Sequence, residues 1–236
     1  MYHNLMTQNH NTQSGAVFYY ILLAVVLIAA LTYFVARDNR ASVGLLSDDQ
    51  ARITANEIIE YGNMLASTVQ KLKLRGCSDI EISIQRDWNG NGSIQDDAGD
   101  NYNPNAPSDK SCHIFDINGG NINFRDFSPY LYRISSTHRI ESLGCSDPND
   151  SCPELLFGLR HMSEIVCHAI NKKLGFSNNM PFDSSGAAGF VGHTEYPPLG
   201  GTTIGDEDPN LEGKTSACYL DNDDDEYIFY QVLLVR

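Results

Sequence analysis

The chain begins with a polar stretch that is followed by a long apolar run. From Ala16 to Ala36 there is no charged residue. As a helix this run would be about 32 Å long, which is enough to cross the hydrocarbon core of a membrane. A cleavable secretory signal has a shorter apolar run preceded by Lys or Arg, and residues 1–15 contain neither. The pattern therefore predicts a transmembrane helix over residues 16–36.

Residues 37–76 are predicted to form a polar hinge and then an amphipathic helix. Ser47 is suited to cap this helix, Asp48 and Asp49 would occupy its first turn, and Gly76 follows its end. Apolar residues recur at three- and four-residue spacing, namely Ala51, Ala55, Ile58, Met64, Leu65, Val69 and Leu72. We expect this face to pack on a globular domain.

Beyond Gly76 the pattern changes to short strands. Residues 79–85 alternate apolar and polar positions, and residues 111–127 predict two strands around the tight turn Asn118-Gly119. Residues 130–144 and 154–162 are further strand candidates.

One short helix and a terminal strand complete the pattern. The helix is predicted after Ser163 as N-cap and before Gly175, with Ile165, Ala169 and Ile170 on one side. Residues 176–225 are predicted to be mostly loop, and residues 226–236 a β-strand. The layout predicts an α+β fold, in which a long N-terminal helix, half transmembrane and half amphipathic, packs on an antiparallel β-sheet.

The cysteines indicate the compartment. All six follow the apolar run, and none forms a Cys-x-x-Cys pair: Cys77, Cys112, Cys145, Cys152, Cys167 and Cys218. An even number on one side of a membrane segment indicates disulfides in an oxidising compartment. Arg37 and Arg40 after the apolar run favour the opposite orientation, but we give the cysteines more weight. Residues 77–236 are therefore expected to form an extracytoplasmic head.

Six cysteines allow 15 pairings, and the sequence does not select one. Local positions favour Cys145–Cys152, which would close a polar turn, and Cys167–Cys218, which would tie down the long loop region. Cys77–Cys112 would then enclose an acidic loop. The alternatives, a zinc site or a catalytic thiol at Cys112-His113 or Cys167-His168, are disfavoured because sequence neighbours rarely face one site.

The N-terminal stretch and the helix-then-sheet order together resemble the type IV pilin superfamily, including the minor pseudopilins of type II secretion. In that family a polar leader ends in Gly, and a prepilin peptidase cuts after it. The resemblance implies a leader over residues 1–15, with Gly15 and Ala16 at the processing site. Most pilins carry Glu at the fifth residue after the cut, where this chain has Tyr20. Certain minor pseudopilins at filament tips are similar in lacking it. The alternative is a plain single-pass anchor on an unrelated periplasmic domain.

Residues 87–100 are the strongest candidate for a cation site. Asp87, Asn89 and Asn91 fall at positions one, three and five of a calcium loop, and the next residue is a turn-forming Gly. Further oxygen ligands would come from Ser93, Gln95 and Asp97. The pattern then departs from a calcium loop, because Ala98 stands where the closing Glu is expected. The alternative is a solvated turn, since Asn, Gly and Asp favour turns.

A second acidic cluster runs from Asp221 to Glu226. The alternating residues Asp221, Asp223 and Asp225 could ligate a metal, in which case calcium is the expected ion, and the alternative is an exposed loop.

The sequence predicts no enzyme, because it contains no lipase-type Gly-x-Ser-x-Gly, phosphate loop, metalloprotease or dinucleotide motif. A net charge of −14 argues against nucleic acid as a partner. The resemblance implies a minor pilin or pseudopilin-like subunit of a type IV pilus or type II secretion filament, with a structural, assembly or tip role. It would cross the inner membrane once, with its head in the periplasm or outside the cell as part of a filament. Its partners would be other subunits through the N-terminal helix, the membrane, and the prepilin peptidase. The alternative function is a membrane-anchored extracytoplasmic binding module with a calcium-stabilised loop.

Overall fold

A computed structural model describes residues 14–84, 103–135, 138–144, 153–177, 179–184 and 202–236, with the backbone alone for residues 14–18, 29–46, 133 and 135. The chain divides into two compact units, Met1–Asp49 and Gln50–Arg236. The elements in chain order are α1 (Ser14–Leu74), β1 (Leu131–Ser135), β2 (Arg139–Ile140), β3 (Leu155–Met162), α2 (Glu164–Leu174), β4 (Phe182–Asp183), β5 (Thr203–Ile204), β6 (Ser216–Asp221) and β7 (Glu226–Leu234).

The second unit contains a five-stranded sheet in the order β1-β3-β7-β6-β4. Its pairs are antiparallel except for β4 with β6, which is parallel. Strands β2 and β5 form a separate parallel pair, which we call the minisheet. The α+β class is confirmed here, with an amphipathic helix packed on a mostly antiparallel sheet.

The second half of α1 supplies one side of the main core. Its predicted apolar face is buried at Ala51, Ala55, Ile58, Leu65, Val69 and Leu72, all at most 2% exposed. The prediction that Met64 belongs to that face is wrong, because Met64 is 42% exposed. The helix approaches the sheet closely at Gly62, where an added Cβ would lie 3.1 Å from the side chain of Gln231 and 3.5 Å from Phe157. Gly62 thus lets the helix lie directly on β3 and β7.

The three strands predicted before residue 128 are not found in the described residues. Residues 79–84 and 111–127 hold a single bridge, Ser83 with His113, and no strand. Asn118-Gly119 does lie in a turn, where the Gly119 N–H donates to the Asp116 carbonyl. The side chain of Asp116 also accepts from the Asn118 N–H at 3.0 Å. Short polar side chains take backbone hydrogen bonds that a ladder would need, so several apolar residues here, such as Ile82, Ile114 and Ile122, are buried without forming strands.

Helix α2 confirms the predicted helix, and Ile170 is buried as predicted, but the buried face is shifted away from Ile165. Gly175 ends it in the left-handed conformation with φ 82°. Ser163 stands at the N-cap position in an extended conformation, with no side-chain cap bond. The buried residues are Val166, Cys167, Ile170 and Asn171. Ile165, expected on the buried side, is 41% exposed. The helix is turned so that Cys167 and Asn171 face β6.

The last strand is confirmed and lies in the middle of the sheet. β7 pairs with β3 on one side and β6 on the other, and Ile228, Phe229 and Tyr230 are completely buried. The predicted loop of residues 176–225 contains β4, β5 and β6, so that prediction is wrong at Ser216–Asp221. β6 was overlooked because its apolar residues, Ala217 to Leu220, form a short run after many turn-forming residues.

Two disulfides join elements of the second unit. Cys77 pairs with Cys112 and Cys167 with Cys218, which are two of the pairs that local positions favour. The third pair, Cys145–Cys152, lies outside the described residues. Disulfides persist in oxidising compartments, and these two suggest that the domain is extracytoplasmic.

Within the residues that the structure describes, no helix has both the length and the apolar character needed to cross a membrane. Part of the predicted transmembrane segment, the side chains of residues 16–18 and 29–36, lies outside the described ones.

Candidate functional site

The hairpin between β6 and β7 brings several carboxylates together. Asp221 ends β6, Glu226 begins β7, and the two are partners in the antiparallel register. We call residues 221–226 the acidic turn. Asp225 has φ 51°, a left-handed conformation that Asp tolerates better than most residues. The Asp223 N–H donates to Asp221 Oδ1 at 3.0 Å, which closes the turn locally.

Three carboxylates of the acidic turn converge on one point. Asp221, Asp224 and Glu226 each offer an oxygen, and these oxygens lie within 4.8 Å of one another. Asp221 is completely buried and Glu226 is 8% exposed, whereas Asp224 is exposed. Such a set of hard oxygen donors suits a divalent cation. The group could therefore hold a metal ion.

A basic pair from β3 faces the same carboxylates. Arg160 donates from Nε to Glu226 Oε1 at 2.6 Å, and its Nη2 lies 3.7 Å from Asp224 Oδ2. His161 Nδ1 lies 2.5 Å from Glu226 Oε2. Both side chains reach Glu226 because the β3–β7 register shifts between Leu159 and Met162, where His161 has φ 57°. A cation here would have to share Glu226 with Arg160.

Tyr227 follows the acidic turn on β7. Burial, and then the carboxylates of Glu164 and Asp225, raise the pKa of its hydroxyl. The phenol therefore remains neutral near pH 7 and adds no further negative charge to the turn.

The convergent group shares one residue, Asp221, with the predicted ligand set of this turn. Asp221 belongs to the convergent group, but Asp223 and Asp225 do not, and Asp224 and Glu226 take their place. The alternating choice assumed an extended chain, in which every second side chain points the same way. The chain reverses direction here, so the residue paired across the hairpin becomes the neighbour. Arg160 and His161 could have been found only from the β3–β7 register.

Other sequence-predicted site residues are not tested by the structure. The calcium loop residues Asp87, Asn89, Asn91, Ser93, Gln95 and Asp97 lie outside the described residues. Gly15 and Ala16 belong to α1, but only the backbone is described at these two residues.

A shallow groove lies beside the second half of α1. Its cavity volume is about 410 Å³, and it is lined by Glu60, Tyr61, Met64, Asn123, Phe124 and Arg125. Arg125 is paired with Glu57 at 2.8 Å. The lining of the groove combines apolar with charged side chains.

The chain matches no protein-family model, no curated protein and no solved structure. Its function is therefore inferred from the residues described above.

Proposed function

We propose that the chain is a minor pilin or pseudopilin-like subunit of a type IV pilus or type II secretion filament. In this proposal the first half of α1 anchors the subunit in the inner membrane and later packs with the same helices of other subunits. The second unit is the head that the helix carries out of the cytoplasm. Processing between Gly15 and Ala16 and the membrane segment over residues 16–36 belong to the same proposal.

The observation that carries the proposal is the exposure of the apolar residues of α1. The large apolar side chains from Tyr19 to Ile28 are 44–69% exposed. Because these residues are consecutive, they cover every side of the helix. A helix that is apolar all round needs lipid or other helices as surroundings. The head supports the proposal through its two disulfides and through an α1 face packed on an antiparallel sheet.

The proposal predicts that a charge in the exposed apolar segment prevents assembly. We expect Val26→Arg to lower the amount of the chain in sheared filaments on the order of 100-fold, because a central Arg costs about 2.5–3.5 kcal/mol in an apolar surrounding. The measurement is quantitative mass spectrometry of filament and membrane fractions. The control is Leu74→Arg at the other end of α1, where Leu74 is 89% exposed and the change should leave assembly unaltered.

The same spectra report the mature N-terminus. Ala16 as the first residue supports the proposal. An intact Met1, or a wild-type chain found in membranes and absent from filaments, contradicts it and favours a plain membrane anchor.

We further propose calcium as the ion of the acidic turn. The donors are all carboxylate oxygens, which calcium prefers over nitrogen or sulfur. The competing Arg160 should keep the affinity low, in the millimolar range typical of extracellular sites. Calcium would then stabilise the β6–β7 hairpin by neutralising the carboxylates that Arg160 only partly balances.

Calcium should raise the melting temperature of the wild-type chain. With a dissociation constant near 1 mM, 10 mM calcium would add about 1.4 kcal/mol, or about 3–6 °C. Asp224→Asn should lose much of this shift, because Asp224 belongs to the convergent group. Asp223→Asn is the matched control, since only its backbone N–H closes the turn. Equal shifts in both variants would rule out the acidic turn as the site.

A membrane-anchored binding module is the second candidate, and the groove beside α1 favours it. Tyr61, Met64 and Phe124 give this groove apolar lining, and Glu60 and Arg125 give it charged groups. The fractionation experiment separates the two candidates, because a binding module stays with the membrane.

A further inference from the structure

Glu154 is a completely buried carboxylic acid at the junction of three segments. It stands directly before β3. Its backbone N–H donates to the His138 carbonyl at 2.9 Å, and its Oε2 accepts from the Ile140 N–H at 2.9 Å. A single residue thus holds the chain on both sides of Arg139, at the start of the minisheet.

The second oxygen of Glu154 has no such support. Within the described residues Oε1 is buried and has no hydrogen-bond partner. A Cβ added to Gly144 would lie 3.1 Å from this oxygen and 2.5 Å from the Arg236 carbonyl. The chain at Gly144, four residues after β2, therefore packs closely against both Glu154 and Arg236. A buried oxygen without a donor is unfavourable for an anion and acceptable for a protonated acid.

Glu154 makes one of the polar contacts that attach the minisheet to the main sheet, and another is the Gly205 N–H, which donates to Asp183 Oδ2 of β4 at 2.7 Å. Within the minisheet, the Arg139 N–H donates to the Thr202 carbonyl and the Glu141 N–H to the Ile204 carbonyl. Its apolar side contacts the sheet through Ile140 and Ile204, both completely buried. Among the described residues, the Glu154 carboxyl joins β2 to the start of β3 through the Ile140 N–H, beside the backbone bond from Glu154 to His138, so loosening the carboxyl contact would weaken one edge of the minisheet.

We propose that Glu154 is a proton-controlled latch, whose neutral form fastens the minisheet to the main sheet and whose ionised form releases it. The latch is a local device, distinct from filament assembly and from the cation site. The latch would be closed at acidic pH and open at alkaline pH.

Several charged groups face Glu154 and set its ionisation. Arg139 from β2 and Arg236 after β7 favour the anion. His138 is buried beside it, and Tyr230 from β7 donates its hydroxyl to the Lys214 carbonyl at 3.1 Å. Burial, and then the carboxylates of Asp183 and Glu154, raise the pKa of Tyr230, so Tyr230 stays neutral. Burial outweighs the two arginines and the Ile140 N–H bond, and raises the pKa of Glu154 to about 7.

The direction of the pH effect follows from these values. The closed form keeps its proton up to about pH 7, whereas a solvated Glu releases it near pH 4.3. Between these limits the closed form binds more protons, so raising the pH favours the open form. From pH 5 to pH 8 the equilibrium constant for opening should rise on the order of 100-fold.

Hydrogen exchange of the full chain in detergent, corrected for the intrinsic pH dependence, tests the latch. We expect protection of residues 138–144 and 202–205 to fall by this factor between pH 5 and pH 8, while β3 and β7 keep theirs. Glu154→Gln should remove the pH dependence, because glutamine has the same shape and no charge. Asp206→Asn, an exposed acid next to β5, is the control and should behave as the wild type.

Three results would overturn the proposal. The first is hydrogen-exchange protection of the wild-type minisheet that does not change with pH. This result does not depend on whether any variant folds. The second is a pH dependence that survives in Glu154→Gln, which would assign it to another group such as His138. The third is an equal loss of protection in β3 and β7, which would make the effect one of overall stability.

Discussion

Replacing both Cys167 and Cys218 with alanine should lower the free energy of unfolding by about 4 kcal/mol. This disulfide joins α2 to β6 across a sequence separation of 51 residues, and both cysteines are completely buried. In the chain-entropy account the bond acts by restricting the unfolded chain, and the restriction grows with the length of the closed loop. Chemical denaturation followed by circular dichroism, in detergent under non-reducing conditions, measures the loss.

The second disulfide is the comparison for this prediction. Cys77–Cys112 has a sequence separation of 35, and the same account predicts a loss that is smaller by only a few tenths of a kcal/mol. Nearly equal losses would support the entropic explanation. A loss of under 1 kcal/mol for the Cys167 and Cys218 variant would contradict it. A much larger loss for that variant would show that packing of α2 on β6 depends on the bond.

The second large effect is expected from Asn171→Leu, which should lower the free energy of unfolding by about 3 kcal/mol. Asn171 is 3% exposed, and its amide makes two hydrogen bonds to one residue of β6. Its Nδ2 donates to the Cys218 carbonyl at 2.6 Å, and its Oδ1 accepts from the Cys218 N–H at 2.9 Å. β4 pairs with β6 only at Leu220 and Asp221, so the Asn171 side chain takes the place of a neighbouring strand at Cys218.

Leucine would leave both backbone groups of Cys218 buried without a partner, and each such group costs about 1–3 kcal/mol. Lys172→Ala, one position along on an exposed side chain, is the control and should change stability by less than about 0.5 kcal/mol. If Asn171→Leu unfolds as easily as the control, the amide contributes nothing to the sheet edge. Combined with loss of the disulfide the effect should be non-additive, because both changes act on Cys218.

Helix α2 shows how far periodicity alone carries a prediction. Its C-terminal limit follows from Gly175, because a left-handed glycine acts within one turn of the chain, whereas Ser163 marks the start of the helix without a side-chain cap bond. Its buried face does not follow, since Ile165 is more apolar than Asn171 and yet is the exposed one. The buried face depends on what the helix packs against. The backbone groups of Cys218 at the edge of β6 need hydrogen-bond partners, which the Asn171 amide supplies, and only the packed structure shows that edge.

The acidic turn illustrates the same limit for a site. The cluster of acids between residues 221 and 226 is visible in the sequence, but its convergent members depend on where the hairpin reverses. Glu154 gives no sequence signal, because one glutamate before an apolar strand is ordinary. Its environment arises from segments far apart in the chain, namely residues 138–144 and Arg236.

The sequence by itself determined the α+β class, the apolar face of α1 from Ala51 to Leu72, both limits of α2, and β3 and β7. These features rest on interactions between residues close in the chain, or on the spacing of apolar positions that must leave water. The tertiary structure alone decided that β7 is central, that residues 79–84 and 111–127 pack without strands, and which groups face Glu154 and Glu226. Those outcomes depend on which distant segment becomes the neighbour, and burial gives a charge its significance only once that neighbour is in place.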